Sequence, residues 1–314
     1  MSTTTEQVTG WWATAISDIS PGVIRLRGYP VEQLIGRLSF ADTIWLMLRG
    51  EVPSPGQSSL FEAALVSGVD HGPQAPSIAA ARMAATCGVG LNTAVATGVG
   101  LLGDVHGGAG QECMAVLADI RGRTAADPAQ ADVPGTEPTE TDTTEADLAG
   151  ADPAGADLAG ADLAESVSEV VAGVVAGVLA GYRGAKRYFP GFGHRFHPRD
   201  PRRDPLVRAV EDAARDGVVE GAYLRIGLEI ERQLAPVPMN VDGATAIVYS
   251  ELGFAPELGR GLFVLSRAVG VLAHAWEEHG EGRRIKGPIP PPLLPAYRGP
   301  EPRDLPAARD HGAA

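Results

Sequence analysis

One stretch of the chain is decisive for its fold, and it reads Gly191-Phe192-Gly193-His194-Arg195-Phe196-His197-Pro198-Arg199-Asp200-Pro201-Arg202. Two glycines stand beside a histidine, and arginines follow at short intervals. Imidazole exchanges protons near neutral pH, and guanidinium groups hold carboxylates and phosphates through paired N–H donors. The stretch therefore indicates an active-site loop that meets an anionic substrate.

Two further short segments have an equally unusual composition. They read Gly103-Asp104-Val105-His106-Gly107-Gly108-Ala109-Gly110 and Pro238-Met239-Asn240-Val241-Asp242. The glycines that follow His106 suit the close approach of a ligand better than they suit packing. Two imidazoles and one carboxylate in such contexts predict acid–base chemistry by His106, His194 and Asp242.

These three segments resemble the citrate synthase family, whose members carry a His-Gly-Gly-Ala element, a Gly-Phe-Gly-His-Arg element ending in Asp-Pro-Arg, and an Asn-Val-Asp element in this order. Other parts fit the same pattern: Leu26-Arg27-Gly28-Tyr29, residues 46–53, residues 70–77 and Leu265-Ser266-Arg267. Three motifs in the right order are far harder to match by chance than one. The resemblance extends from about Thr14 to Gly299, with one interruption.

The apolar pattern of the chain is helical. Three- and four-residue spacings recur at Leu34, Leu38, Ala41, Ile44, Trp45 and Leu48, and again at Leu206, Val210, Ala213 and Ala214. Gly50 stands where a helix would end, and Pro205 is predicted to lie in a connection. Alternating strand patterns are almost absent, so we predict an all-α protein. The resemblance implies a citrate synthase-like fold, with a large helical domain from residues 1–106 and 242–314 and a smaller helical domain, residues 107–241, inserted between them.

The interruption is an acidic segment, residues 124–165, with eleven acidic and no basic residues. Its Ala, Asp, Thr, Pro and Gly cannot bury enough surface to offset the entropy of ordering, so we predict a disordered insertion. A five-residue repeat at its end is faintly similar to a pentapeptide β-helix, but three units are too few to stack. The segment carries most of the net charge of −13. The rest is nearly neutral and gives no indication of nucleic-acid binding.

The sequence predicts a protein that is neither exported nor membrane-spanning. Met1 to Gly10 lack the basic start and apolar core of a secretory signal. Cys87 and Cys113 are predicted to be buried free thiols in a reducing compartment, so we expect a cytoplasmic protein. Residues 83–103 carry no charge and are long enough to cross a bilayer, but their threonines, asparagine and glycines favour a buried central helix.

The resemblance implies a role for each motif residue. Asp242 matches the base that removes a proton from the methyl group of a coenzyme A thioester, and His106 matches the donor that stabilises the resulting enol. His194 matches the donor to the ketone oxygen of oxaloacetate. From the residues alone, Asp242 could instead be a helix N-cap, and His106 could be a buried histidine bonded to the backbone.

Binding of polyanionic substrates needs guanidinium groups. By the resemblance, Arg202 and Arg267 bind substrate carboxylates and His71 is a further substrate contact. Members of the family commonly carry a late arginine that reaches the substrate of the neighbouring subunit. The corresponding segment here is residues 283–290, in which Lys286 or Arg284 is expected to take that role. His197 departs from the family pattern and is interpreted as a packing variant. His194 and His197 lack the further ligands of a metal site, so no metal is expected.

The short chain and its Lys286-Gly287-Pro288 segment resemble most the citryl-CoA lyase branch of the family, which includes the lyase portion of ATP-citrate lyase. We therefore expect a homodimeric enzyme that cleaves or forms the carbon–carbon bond between acetyl-CoA and oxaloacetate. One alternative is a citrate or methylcitrate synthase that also hydrolyses the citryl-CoA thioester. Another is a non-catalytic subunit that binds a citryl-CoA synthetase partner through the acidic insertion, which the intact His106, His194 and Asp242 disfavour.

Overall fold

The computed structural model describes residues 9–125, 153–290 and 292–304, and for residues 153–166 it describes the backbone alone. The described chain is mostly helical, which confirms the all-α prediction. The helices are α1 (Val31–Leu34), α2 (Phe40–Arg49), α3 (Pro55–Gly68), α4 (Pro76–Ala85), α5 (Leu91–Val99), α6 (Ala109–Ala125), α7 (Pro153–Gly184), α8 (Arg203–Arg215), α9 (Ala222–Leu234), α10 (Val241–Glu251) and α11 (Gly259–Gly280).

A small antiparallel sheet near the N-terminus was not predicted. It has the order β1 (Ser17–Ser20), β2 (Val23–Leu26) and β3 (Tyr29–Pro30). Arg27 and Gly28 link the last two strands with φ angles of 51° and 88°, as a two-residue hairpin turn requires. The Arg27 guanidinium donates to Met47 O at 2.6 Å and 3.0 Å, which holds the sheet against α2.

The apolar spacing from Leu34 to Leu48 belongs to two helices rather than one. Leu34 ends α1, and a new helix starts after Ser39, whose hydroxyl accepts from Asp42 N while Asp42 accepts from Ser39 N. This capping box satisfies backbone donors at the start of α2. The helix ends at Gly50, which has a φ of 89°, as predicted from the glycine.

The uncharged run of residues 83–103 is likewise divided, so the single buried central helix was wrong. The chain leaves α4 after Ala85, turns through Gly88 with a φ of 82°, and re-enters helix at Leu91. Cys87, in this turn, is exposed, whereas Cys113 is buried as predicted. Only glycine adopts such a φ readily, which explains why the helix breaks here.

The boundaries of the acidic insertion also need correction. Helix α7 begins at Pro153, so residues 153–165 are helical rather than disordered, and Thr124 is buried within α6. Residues 126–152 lie outside the described residues. Pro205, expected in a connection, lies in the first turn of α8, where proline lacks no needed donor.

Helix α10 is the centre of the packing and positions the site. It is buried along most of its length and contacts α3, α6, α8 and α9. A second, smaller core of alanine, isoleucine and valine side chains joins α4, α5 and α11. The larger core contains residues from both sides of the predicted domain boundary, so the division into two domains stays a prediction.

Two helical segments in the described chain are apolar and long enough to cross a membrane. They are Val167–Gly184, which is mostly exposed, and Pro256–Gly280. The second includes α11, which packs against α4 and α5 and carries the predicted Arg267. It is therefore a helix of the folded core.

Candidate active site

The His194 loop is joined to the start of α10 by a short backbone ladder. Gly193 N donates to Pro238 O at 2.8 Å, and Asn240 N donates to Gly191 O at 3.0 Å. The Asn240 side chain adds a bond from Nδ2 to Gly193 O at 2.6 Å. Two of the three predicted motifs are therefore fixed to each other.

Asn240, and not Asp242, is the N-cap of α10. Its Oδ1 accepts from Asp242 N at 2.9 Å and from Gly243 N at 3.3 Å. The alternative that Asp242 acts as the cap is therefore wrong. The Asp242 carboxylate accepts no hydrogen bond from any described residue. Asp242 lines a narrow cavity of about 10 Å³ that is bounded in part by Gly107 and Phe263.

The electrostatic surroundings of Asp242 suit a base. Burial raises the pKa of its carboxyl group, because the charged form loses hydration. The positive charges of Arg202 and Arg267 act in the opposite direction, and the negative charge of Asp200 adds to the rise. A carboxylate with a raised pKa accepts a carbon-bound proton more readily than one with an ordinary value.

Glycines allow the two segments to approach this closely. A Cβ on Gly191, whose φ is 81°, would lie 2.7 Å from Gly243 Cα and 2.9 Å from Cys113 Sγ. A Cβ on Gly243 would in turn collide with Gly191 O. The first glycine of the decisive stretch is therefore required by packing as well as by backbone conformation.

The hydrogen bonds of His194 define its tautomer. Its Nδ1 accepts from Phe196 N and from His197 N, both at 3.1 Å. A ring nitrogen that accepts carries no proton, so the proton of the neutral ring is on Nε2. Burial and then the charge of His197 lower the pKa of His194, which favours the neutral ring with Nε2 as a donor.

His106 presents a donor in the same way. Its Nε2 accepts from Ser77 N at 3.3 Å and lies 3.0 Å from Ser77 Oγ, which leaves the proton of the neutral ring on Nδ1. Burial and the charge of Arg267 lower its pKa. Gly107, with a φ of 97°, has no room for a Cβ beside the Phe263 ring. The bond from Ser77 N is also the backbone contact that the alternative interpretation expects, so the catalytic role of His106 stays a prediction.

The two predicted arginines are held by groups that leave part of each guanidinium free. Arg202 donates from Nε and Nη2 to Asp200, each at 2.9 Å, and from Nη1 to Ser67 O at 3.3 Å. Arg267 is 3% exposed and donates from Nε to Gly68 O at 2.9 Å. Its Nη groups donate to no acceptor among the described residues, and the guanidinium lies over the Phe263 ring, 4.7 Å from the ring centroid. The negative charge of Asp242 acts on it, so free donors face the carboxylate that is predicted to be the base.

His71 joins this group of side chains. Its ring centroid lies 5.3 Å from that of His194, which in turn lies 4.6 Å from that of His197. Burial, followed by the charges of Arg267 and Arg202, lowers the pKa of His71. The predicted residues His71, His194, Arg202, Arg267 and Asp242 are thus in one electrostatic environment, and Arg267 connects them to His106.

The family model described as "Citrate synthase, C-terminal domain" matches residues 7–67 and 47–288. The chain belongs to the citrate synthase family. It is 27% identical to the citrate synthase of Haloferax volcanii over 79% of its own length and 54% of that relative. It is 26% identical to the glyoxysomal citrate synthase of Cucurbita maxima over 81% of its length and 42% of that relative. The chain thus spans about half the length of these curated relatives.

Solved structures of the family agree with the fold. The citryl-CoA lyase of Hydrogenobacter thermophilus is 29% identical, with a TM-score of 0.69 over 94% of this chain and 97% of the other. The ATP citrate lyase of Methanothrix soehngenii, in complex with citrate and coenzyme A, is 18% identical, with a TM-score of 0.65 over 94% of this chain and 44% of the other. The second likeness concerns the fold alone.

Among the predicted site residues of this chain, Lys286 is the one that lies away from the cluster around His194 and Asp242. Its Nζ donates to both oxygens of the buried Glu278, at 2.7 Å and 2.9 Å. Glu278 lies eleven residues after Arg267 on α11, roughly 16 Å along the helix. Within this chain, Lys286 is neutralised at the far end of α11, and contact with a neighbouring subunit's substrate stays a prediction.

Sequence reasoning missed three residues that orient the site: Ser77, Asp200 and Asn240. The last two stand inside the motifs, as the first residue of Asp-Pro-Arg and of Asn-Val-Asp, so their positions were a usable signal. Ser77 ends the segment 70–77, which also fits the family pattern, but the sequence does not show that the fold brings α4 to His106. In the described ranges, no cluster of three or more histidine, cysteine or carboxylate side chains could hold a metal ion.

Proposed function

We propose that this protein makes and breaks the carbon–carbon bond between the acetyl group of acetyl-CoA and oxaloacetate. The observation that carries the proposal is the combination of two imidazoles with defined donor nitrogens, His106 and His194, and one partly buried carboxylate, Asp242. Enolisation of a thioester needs a base on one side of the methyl carbon and a donor to the carbonyl oxygen on the other. These three groups supply that set.

In the direction of bond formation, Asp242 takes a proton from the methyl carbon while His106 Nδ1–H hydrogen-bonds the thioester oxygen. The enol carbon then attacks the ketone carbon of oxaloacetate, and the ketone oxygen takes the proton of His194 Nε2. Arg202 and Arg267 hold the carboxylates, because a guanidinium binds a carboxylate through two N–H donors. Cleavage of citryl-CoA is the same sequence in reverse.

We favour citryl-CoA cleavage as the activity. The lyase from Hydrogenobacter thermophilus is matched over nearly its whole length, whereas the curated synthases are matched over about half of theirs. The late segment supports the same choice, since Lys286 is engaged by Glu278 and offers no bidentate fork. The alternative, citrate or methylcitrate synthase activity, is supported by those same curated relatives.

Product analysis separates the two. Citryl-CoA is added to the enzyme, oxaloacetate is followed by reduction with malate dehydrogenase, and free CoA is followed with a thiol reagent. We expect oxaloacetate to appear without free thiol. Rapid release of free CoA from acetyl-CoA and oxaloacetate would instead identify a synthase. The Asp242→Asn variant serves as the control for activity from contaminating enzymes.

We also propose that the protein is a homodimer. Helix α11 presents four half-exposed apolar side chains at helical spacing, namely Leu265, Val269, Leu272 and Trp276. A stripe of this kind on a helix usually packs against a protein surface, and a second copy of the chain is the partner we expect. Light scattering should give the dimer mass for wild type and the monomer mass for Val269→Glu. Ile35→Glu, in another exposed apolar position, is the matched control and should remain dimeric.

A cytoplasmic location and a citryl-CoA synthetase partner also remain proposals. The first rests on Cys87 and Cys113, which are free thiols, as is usual in a reducing compartment. The second rests on the acidic segment, whose residues 126–152 lie outside the described part of the chain. Neither nucleic acid nor a membrane is expected as a partner.

A further inference from the structure

Asp200 is a buried carboxylate that the reaction scheme above does not use. Asp200 is 1% exposed. Its Oδ1 accepts from Arg202 N at 3.0 Å and from Arg202 Nε at 2.9 Å. Its Oδ2 accepts from Arg202 Nη2 at 2.9 Å and from Val241 N at 3.0 Å. One side chain thus contacts both the anion-binding arginine and the backbone next to Asp242.

These four bonds constrain two functional groups at once. The paired contact with Nε and Nη2 fixes the plane of the Arg202 guanidinium, because a bidentate pair permits only one orientation. The remaining N–H donors, on the Nη1 side, are then directed away from Asp200. The bond to Val241 N fixes the backbone that immediately precedes Asp242. A displacement of Asp200 would therefore alter the geometry between the two groups.

We propose that Asp200 is a positioning residue that sets the relative placement of Arg202, which holds the substrate anion, and Asp242, which acts as the base. The inference rests on the proposed function and deepens it. It differs from a purely structural role because it requires Asp200 to change the chemistry of Asp242 as well as the stability of the fold.

The charges around Asp242 define the direction of that change. Arg202 and Asp200 face it from the loop before α8, Arg267 faces it from α11, and the buried Cys113 thiol lies near it on α6. Loss of the negative charge of Asp200 removes a contribution that raises the pKa of Asp242. The base then stays ionised to lower pH, so the acidic limb of kcat/KM should move to lower pH.

The experiment compares wild type with Asp200→Asn, Asp200→Glu and the control Asp204→Asn. Asp204 is a neighbouring, more exposed carboxylate that pairs with Arg199 and Arg203. The measurements are KM for oxaloacetate and the pH profile of kcat/KM. For Asp200→Asn, we expect KM to rise roughly tenfold to a hundredfold, as for loss of a charged hydrogen bond, and the acidic limb to move down. The control should match wild type in both.

Asp200→Glu keeps the charge and displaces the carboxylate by one methylene. We expect KM for oxaloacetate to rise while the acidic limb stays in place. If Asp200→Asn does not fold, this variant decides alone: an unchanged KM overturns the proposal. If Asp200→Asn folds, a KM within threefold of wild type or an unmoved acidic limb overturns it.

Failure of this inference is distinguishable from failure of the proposed function. If wild type turns over citryl-CoA or acetyl-CoA with oxaloacetate, and Asp200→Asn behaves like wild type, the positioning role alone is refuted. If wild type is inactive with both sets of substrates while it is folded, the proposed function itself is refuted.

Discussion

Replacement of Asn240 by alanine should weaken both the fold and the reaction. The Asn240 amide caps α10 through Asp242 N and Gly243 N and also donates to Gly193 O at 2.6 Å. Loss of an N-cap costs about 0.5–2 kcal/mol. Loss of the bond to Gly193 O costs about 0.5–1.5 kcal/mol. We therefore expect a total loss of about 1–3.5 kcal/mol in the free energy of unfolding.

Asn240→Asp is the matched variant that separates the two contributions. An aspartate still accepts from Asp242 N and Gly243 N, and its charge is favourable at a helix N-terminus. It cannot donate to Gly193 O, so the His194 loop loses its side-chain tie to α10. We expect most of the stability to return while turnover stays low.

Thermal unfolding and kcat measure the two effects. A loss of about 1–3.5 kcal/mol corresponds to a Tm lower by roughly 2–5 °C for a protein of this size. If Asn240→Ala unfolds within about 1 °C of wild type, the N-cap contributes less stability than its geometry implies. If Asn240→Asp has the turnover of wild type, the bond to Gly193 O does not position His194.

Three further predictions follow from the same site. Asp242→Asn should lower kcat by at least about 10² while equilibrium dialysis still detects CoA binding, and turnover within about tenfold of wild type would remove Asp242 as the base. Gly191→Ala should lower Tm, because its Cβ would lie 2.7 Å from Gly243 Cα at a φ of 81°, and an unchanged melting curve would contradict the close approach. Burial raises the pKa of Asp200, but the hydrogen bonds and charge of Arg202 and the bond from Val241 N outweigh it and lower the pKa to about 2. Asp200 should therefore contribute about 2–3 kcal/mol above pH 4 that is lost as the pH falls towards 2. Urea unfolding across this range should show a larger acid-dependent loss in wild type than in Asp200→Asn, because other carboxyl groups with lowered pKa values titrate in both proteins.

The fold class could be predicted because apolar residues recur at three- and four-residue spacing, which is typical of helices. Helical spacing located α8 and most of α2, and Gly50 ends α2 as expected. The spacing could not show where one helix stops and another starts in the same apolar run, because that depends on the Ser39 capping box and on the positive φ of Gly88. The small sheet escaped prediction because its strands are two to four residues long, too short for an alternating pattern.

The candidate site could be assembled from motifs, but its orientation could not. The motifs supplied His106, His194 and Asp242, yet which nitrogen of each histidine carries the proton depends on Ser77 N and on the backbone after His194. Such contacts depend on the three-dimensional arrangement and leave no periodic trace in the sequence. The same holds for Lys286, whose pairing with Glu278 connects two segments that no motif links.

Cleavage of citryl-CoA in D₂O tests the central claim most directly. If Asp242 returns a proton to the enol carbon, that proton comes from the solvent-exchanged carboxyl group, and the acetyl-CoA formed carries one deuterium in its methyl group. Mass spectrometry should therefore show acetyl-CoA heavier by one mass unit, together with an equal amount of oxaloacetate, in wild type, and neither product in Asp242→Asn. Formation of citrate and free CoA, or of undeuterated acetyl-CoA, would contradict the account.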